Sequence, residues 1–206
     1  GKTNVISLIL DTEEVSLGVM SEIVYGISDV LKETAYHLVL TPYSLANPME
    51  PVKYVVETRM ADGVIISRTE PDDPRVVYLL EHNIPFATHG RTNMGIEHAW
   101  HDYDNAAFSY RAVETLIARG RRKLSLIGPP SHLLYAQHTE RGFKQAMQDN
   151  NLVPVKIPVT HLEGPASELR ERGVEIGRMK DRPDGIVVSS TIGALGLVGG
   201  LEEAGL

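Results

Sequence analysis

Apolar residues in this chain gather in short unbroken runs, separated by longer segments of helical period. The runs cover 5–10, 38–40, 64–66, 86–88, 124–127, 155–159 and 186–188. Strands with one wet face alternate, so unbroken runs predict strands covered on both faces. Helices are predicted over 18–35, 106–119, 142–149, 168–179 and 193–204, where apolar side chains recur three and four apart. Strand and helix alternate along the whole chain. That order predicts an α/β fold of parallel βαβ units with right-handed crossovers.

The pattern also repeats. Val5-Ile6-Ser7-Leu8-Ile9 returns as Lys123-Leu124-Ser125-Leu126-Ile127, an offset of 118. Gly26-Ile27-Ser28-Asp29-Val30-Leu31 returns as Gly142-Phe143-Lys144-Gln145-Ala146-Met147, an offset of 116. Asp62-Gly63-Val64-Ile65-Ile66-Ser67 returns as Asp184-Gly185-Ile186-Val187-Val188-Ser189, an offset of 122. Three matches in one order at nearly one offset predict two similar lobes, over 1–101 and 102–206. In the first half, Glu81 to Pro85 closes a helix and leads into the run 86–88. The same register sets Glu203 to Leu206 against Glu81 to Ile84. The second lobe is therefore expected to be C-terminally incomplete, stopping before its counterpart of that strand.

Composition narrows the function. The chain has 206 residues, 27 acidic against 20 basic, and a net charge of −7. Phosphate binding runs on a Lys/Arg excess, so this segment is not expected to grip nucleic acid through its bulk field. Zero cysteine excludes a disulfide framework, a thiolate metal site and a cysteine nucleophile, and fits a reducing compartment. No apolar run approaches the roughly 18 residues of a membrane span. The chain starts at Gly1 without a Met and shows no signal-peptide pattern, which predicts that upstream sequence was removed or left out.

Parallel sheets bind ligands at the carboxyl ends of their strands. In the first half those ends carry Asp11, Thr12, Glu13 and Glu14, then Ser67 and Arg68, then His89, Gly90 and Arg91. In the second half they carry 128–137, then Ser189, Ser190 and Thr191. Arg68 and Arg91 are the sharpest candidates, because a guanidinium offers a planar fork of donors. The competing role is a surface ion pair with Glu70, Asp72 or Asp73. His98 and His101 look like a metal pair, but residues three apart on a strand point to opposite faces. Asp104-Asn105 is read as a helix N-cap.

No P-loop, dinucleotide fingerprint or nucleophile elbow occurs, and no catalytic residue is assigned. Gly193, Gly196, Gly199 and Gly200 are read as close helix packing. The basic run Arg119-Gly120-Arg121-Arg122-Lys123 is either a phosphate patch or a helix end. Gly120 as a left-handed cap and cations at the negative dipole end favour the second.

These residues resemble the effector-binding domain of the LacI/GalR family of bacterial transcription regulators. The matching stretches begin with Gly1-Lys2-Thr3-Asn4-Val5-Ile6, Asp62-Gly63-Val64-Ile65-Ile66 and Ile84-Pro85-Phe86. Asp104-Asn105, the run from Ala118 to Gly128, Gly142-Phe143, Ala194-Leu195-Gly196 and Leu201 to Leu206 complete them. The resemblance implies a periplasmic-binding-protein type I fold of two Rossmann-like lobes that clamp a small effector, commonly a sugar. It implies a homodimer in the cytoplasm and operator DNA bound through a helix-turn-helix domain absent from this chain. It implies no cofactor, no metal, no membrane and no enzymatic step.

Carried onto this sequence, the effector contacts are Asp11, Thr12, Leu17, Ser67, Arg68, His89, Arg91, Tyr135, Gln137, His138, Thr139, Ser190 and Thr191. Several depart from the family pattern. Thr139 stands where an Arg is frequent, Ser190 and Thr191 replace an Asn-Asp pair, and Gly90 replaces an Asp. Leu17-Gly18-Val19-Met20 replaces an Asn-Pro-Phe-Phe loop. Two other classes stay open. One is an extracytoplasmic solute-binding protein of a transporter, which a secretory signal upstream of Gly1 would favour. The other is an enzyme on a Rossmann-like sheet, which turnover of a ligand would favour.

Overall fold

The run at 5–10 forms an inner strand of a parallel sheet in the computed structural model, which describes residues 1–11, 19–43, 47–162 and 166–206. The chain divides into two units, Gly1–Tyr103 and Asp104–Leu206.

The first unit runs β1 (Val5–Asp11), α1 (Val19–Leu31), β2 (His37–Tyr43), α2 (Met49–Thr58) and β3 (Gly63–Ser67). It continues with α3 (Pro74–Glu81), β4 (Phe86–His89) and β5 (Ala99–His101). All pairings are parallel, in the order β2-β1-β3-β4-β5. Leu8 and Leu10 pack with Met20, Ile23, Val24 and Ile27 of α1 on one face. Ile9, Val64 and Ile66 pack with Val52, Val55, Val76 and Leu79 of α2 and α3 on the other. Burial on both faces explains why the strand runs do not alternate. The chain leaves β1 toward β2 and returns on the other side to β3. A crevice opens at the carboxyl ends of such a pair.

The second unit runs α4 (Asn105–Ala118), β6 (Leu124–Ile127), α5 (Leu134–Asp149), α6 (Ala166–Gly177), β7 (Gly185–Val188) and α7 (Thr191–Glu203). β6 and β7 pair in parallel. Val113, Leu124, Phe143, Ala146, Met147 and Val187 form one core; Ile127, Leu169, Ile176 and Leu197 form another. Among the described residues, no helix is long and apolar enough to cross a membrane.

The repeated Asp-Gly has a physical basis. Asp62 accepts hydrogen bonds from the Thr3 amide at 2.8 Å, the Thr3 hydroxyl at 2.9 Å and the Asn4 amide at 2.8 Å. Asp184 accepts from the Arg122 amide at 3.0 Å and the Lys123 amide at 2.8 Å. Each aspartate thus fastens the residues leading into the neighbouring strand. The Thr3 amide, first among these donors, holds the Asp62 carboxyl below the usual carboxylate range. The next residue must be small. A Cβ at Gly63 would stand 3.1 Å from Ile6 Cδ1, and one at Gly185 would stand 2.7 Å from Leu124 Cδ2.

Two expectations need correction. No ladder strand forms over 155–159; the Val155 amide bonds to the Leu124 carbonyl, and contact resumes only at the single bridge between Gly128 and His161. Pro158, between the bonds at Val155 and at Thr160, has no N–H to give, so a continuous ladder cannot form. The helix expected over 142–149 starts earlier, at Leu134. Its first turns bury Leu134, Ala136 and Thr139. The polar residues between them hide that period. At the helix ends, Asp104 accepts from the Ala107 amide as an N-cap and Gly120 takes a φ of 82°. The basic run at 119–123 is thereby a helix end followed by a strand entry.

Candidate functional site

The carboxyl ends of β1, β3 and β4 carry a polar rim that is mostly out of water. Asp11 and Ser67 are buried and Arg68 is 8% exposed. Arg68 follows β3 with a φ of 53°, the left-handed region. Its Nε lies 3.7 Å from Asp11 Oδ2, an ion pair longer than a hydrogen bond. Among the described residues this Nε donates to nothing. A buried guanidinium N–H without an acceptor is costly, and a ligand oxygen would remove the cost.

The loop that carries Arg68 is braced from α3. Asp73 caps that helix, accepting from the Arg75 amide at 3.0 Å, and also accepts from the Glu70 amide at 3.2 Å. Arg75 Nε donates to Asp73 Oδ1 at 3.0 Å. Its terminal nitrogen donates to Asp73 Oδ2 at 2.7 Å and to the carbonyls of Ser67 and Arg68 at 3.1 and 2.9 Å. The ion pair expected between Arg68 and Glu70, Asp72 or Asp73 is therefore corrected. Arg75, two residues beyond Asp73 in the first turn of α3, takes it, and Arg68 faces Asp11 instead. The β4 loop is tied in as well. The Thr69 hydroxyl donates to the Arg91 carbonyl at 2.7 Å, and Gly90 has a φ of 111°. A Cβ at Gly90 would lie 2.4 Å from Thr69 Oγ1, so both conformation and space demand glycine there.

At the β4–β5 margin, His89 stands opposite His101 in register with ring centroids 6.2 Å apart. Tyr103 presents its ring edge-on to both, at 6.1 and 6.0 Å. Arg91 Nε donates to Asp102 Oδ2 at 3.0 Å, and its guanidinium lies 5.2 Å from the centroid of the Trp100 ring. Asp102 is 6% exposed and Arg91 38%. Burial pushes His89 below the ordinary 6.5, the His101 charge adds to that, and Asp102 opposes it.

A lowered folded value means that the unfolded chain takes up the proton first. His89 therefore costs stability as pH falls from 6.5 through its folded value and costs nothing above that window. An NMR titration should place the His89 midpoint below 6.5, and Asp102→Asn should move it lower still. A midpoint at or above 6.5 contradicts the burial argument. His98 stacks on Phe86 at 5.4 Å, away from His101. Among the described residues no group of three acidic or histidine side chains could hold a metal.

In the second unit, α5 and α7 both start just past the carboxyl ends of the paired strands β6 and β7. Tyr135 and His138 are half-buried and Gln137 is exposed. Thr139 is buried, its hydroxyl donating to the Tyr135 carbonyl at 2.8 Å. Ser190 caps α7, accepting from the Gly193 amide at 3.1 Å, and Thr191 is exposed. The Ser189 hydroxyl is buried and has no partner among the described residues. Thr12 and Leu17 lie outside the described residues. The structure thus groups Asp11, Ser67, Arg68, His89 and Arg91 in the first unit, and 135–139 with Ser190 and Thr191 in the second. Sequence reasoning missed Thr69, Arg75, Trp100 and Asp102 as parts of the rim. Asp73-Pro74 was the available cue to the brace, since Asp then Pro is a helix-start signal.

Known proteins share this architecture. The family model described as a periplasmic binding protein-like domain matches residues 113–206. The HTH-type transcriptional regulator RafR of Escherichia coli is 29% identical over 211 residues, covering all of this chain and 61% of RafR. The chain therefore spans less than two thirds of that relative's length. A solved structure of a putative transcriptional regulator LacI from Bacillus cereus subsp. cytotoxis NVH 391-98 superposes with a TM-score of 0.90 at 22% identity. It covers all of this chain and 74% of its own. A complex of the transcriptional regulator CelR with cellobiose superposes with a TM-score of 0.85 at 20% identity. It covers 99% of this chain and 64% of its own. These superpositions show a shared fold.

Proposed function

We propose, from the premise that this chain belongs to the LacI/GalR family as an effector-binding domain, that it senses a small sugar for a transcriptional repressor. The observation that carries this reading is the first unit's rim. It is polar and largely buried, sits at the switch point of a parallel sheet, and contains a buried donor, Arg68 Nε, in want of an acceptor. Sugar hydroxyls both donate and accept, and so suit a rim of carboxylate, guanidinium, hydroxyl and imidazole groups. The CelR complex with cellobiose shows that the fold accommodates a disaccharide in that protein. The function is binding, not turnover. A sugar favouring one conformation of the regulator would shift operator affinity by its difference in affinity between conformations. Operator binding through a helix-turn-helix segment, a homodimer and a cytoplasmic site of action complete the proposal.

Trp100 is the only tryptophan in the chain and lies under Arg91. Its emission should change saturably with at least one member of a broad panel of mono- and disaccharides. Arg91→Ala should weaken that binding by about tenfold or more, the scale of one charge-assisted hydrogen bond lost. A panel that leaves both Trp100 emission and titration calorimetry flat would sink the sugar reading. Unchanged affinity in a folded Arg91→Ala protein would remove Arg91 from the site.

A further inference from the structure

We infer that Asp102 is a specificity-determining residue: by neutralising Arg91 it makes the first unit's rim select uncharged ligands over anionic ones. The inference deepens the effector-binding reading and rests on it. Three arginines reach this end of the sheet, and an open arginine fork is the ordinary receptor for phosphate or carboxylate. None of the three carries its charge without a carboxylate nearby. Arg75 is taken by Asp73 at 2.7 Å, Arg68 faces Asp11 at 3.7 Å, and Arg91 donates to Asp102 at 3.0 Å. Each cation has its own carboxylate, so among the described residues the rim offers directional donors with no surplus positive charge. His89, held neutral by burial at neutral pH, adds none. The second unit's candidate positions, Tyr135, Gln137, His138, Thr139, Ser190 and Thr191, contain no Lys or Arg.

The three pairs differ in what a substitution would release. Arg75 and Arg68 are 3% and 8% exposed, so freeing them would leave buried charges. Arg91 is 38% exposed while Asp102 is 6% exposed. Asp102 is therefore the carboxylate whose removal hands an accessible guanidinium to a ligand. While it is present, an incoming phosphate meets a carboxylate beside the most exposed of the three cations, and like charges at close range oppose binding. A sugar hydroxyl meets no such opposition and can still use the terminal guanidinium nitrogens.

The test is a Trp100 fluorescence titration with inorganic phosphate and with glucose 6-phosphate, ionic strength held constant with chloride. The wild-type protein should respond to neither. Asp102→Asn should bind both, with affinity raised by about tenfold or more over wild type. Arg91→Gln combined with Asp102→Asn should be silent again, which a merely structural role for Asp102 would not produce. Asp102→Ser serves as a second neutral variant should the asparagine protein fail to fold. Two results overturn the inference: a wild-type protein that binds phosphate as well as Asp102→Asn does, or folded neutral variants that remain silent. The neutral-sugar panel decides the effector-binding reading separately, and these phosphate titrations are scored without it.

Discussion

Asp73→Ala should destabilise the first unit by about 3–5 kcal/mol, the scale for removing one partner of a buried ion pair. Asp73 and its partner Arg75 are 1% and 3% exposed. The deletion leaves the Arg75 guanidinium, which also donates to the Ser67 and Arg68 carbonyls, away from water without its carboxylate. It also removes the α3 N-cap, a loss of about 1 kcal/mol in other helices. Such a total is a large share of the roughly 5–15 kcal/mol that holds a domain together. Urea unfolding followed by circular dichroism measures it. A loss below about 1 kcal/mol would mean that Arg75 finds water or another acceptor, against the burial described. Replacing both residues with apolar ones of similar volume should cost far less than either single change, because no unpaired charge is left behind.

The second large effect separates two adjacent glycines in α7. A Cβ at Gly200 would lie 2.0 Å from the Arg170 carbonyl oxygen and 2.9 Å from Gly173 Cα, both backbone atoms of α6. Backbone cannot swing aside as a side-chain tip can, so α6 and α7 would have to part. Gly200→Ala should cost about 2–3 kcal/mol, at the upper end for overpacking. A Cβ at Gly199 would meet nothing within 4 Å. There the helix gains alanine's propensity, and Gly199→Ala should stabilise by about 0.5–1 kcal/mol. Thermal melts of the two variants should move in opposite directions from wild type. Movement in the same direction would refute the close approach of α6 and α7 at Gly200.

What was legible in the sequence follows from how local each signal is. β1, β3 and β6 are apolar runs buried on both faces, and the Asp-Gly that opens two strands of the fold repeats because it performs the same fastening twice. Of the α7 glycines read as close packing, Gly193 and Gly200 do stand against α6, where a missing Cβ is visible in one letter, whereas Gly199 faces open space. β5 carried no such signal: it is three residues long and exposed throughout. α2 starts after a proline, holds another in its first turn and exposes Tyr54, which blurs its apolar face. At the rim, Asp11, Ser67, Arg68, His89 and Arg91 could be named because strand ends are positions along a chain. Their partners could not. Asp102 reaches Arg91 only because β4 and β5 are in register, and Asp11 is left to Arg68 only because Arg75 claims Asp73. Pairing of that kind is decided by register and by competition between neighbours in space.

The proline-interrupted segment beside β6 has a consequence for solution behaviour. It lies on the side of the strand away from β7, bonding at Val155, Thr160 and Leu162. It occupies the strand's free margin without becoming a strand. A regular strand there would expose its own outer row of amides and carbonyls to any passing chain. Pro154, next to the inward-bonding Val155, withholds one of those amides. The second unit therefore finishes the β6 margin of its sheet with a selvedge that is poorly suited to being knitted onto by another chain.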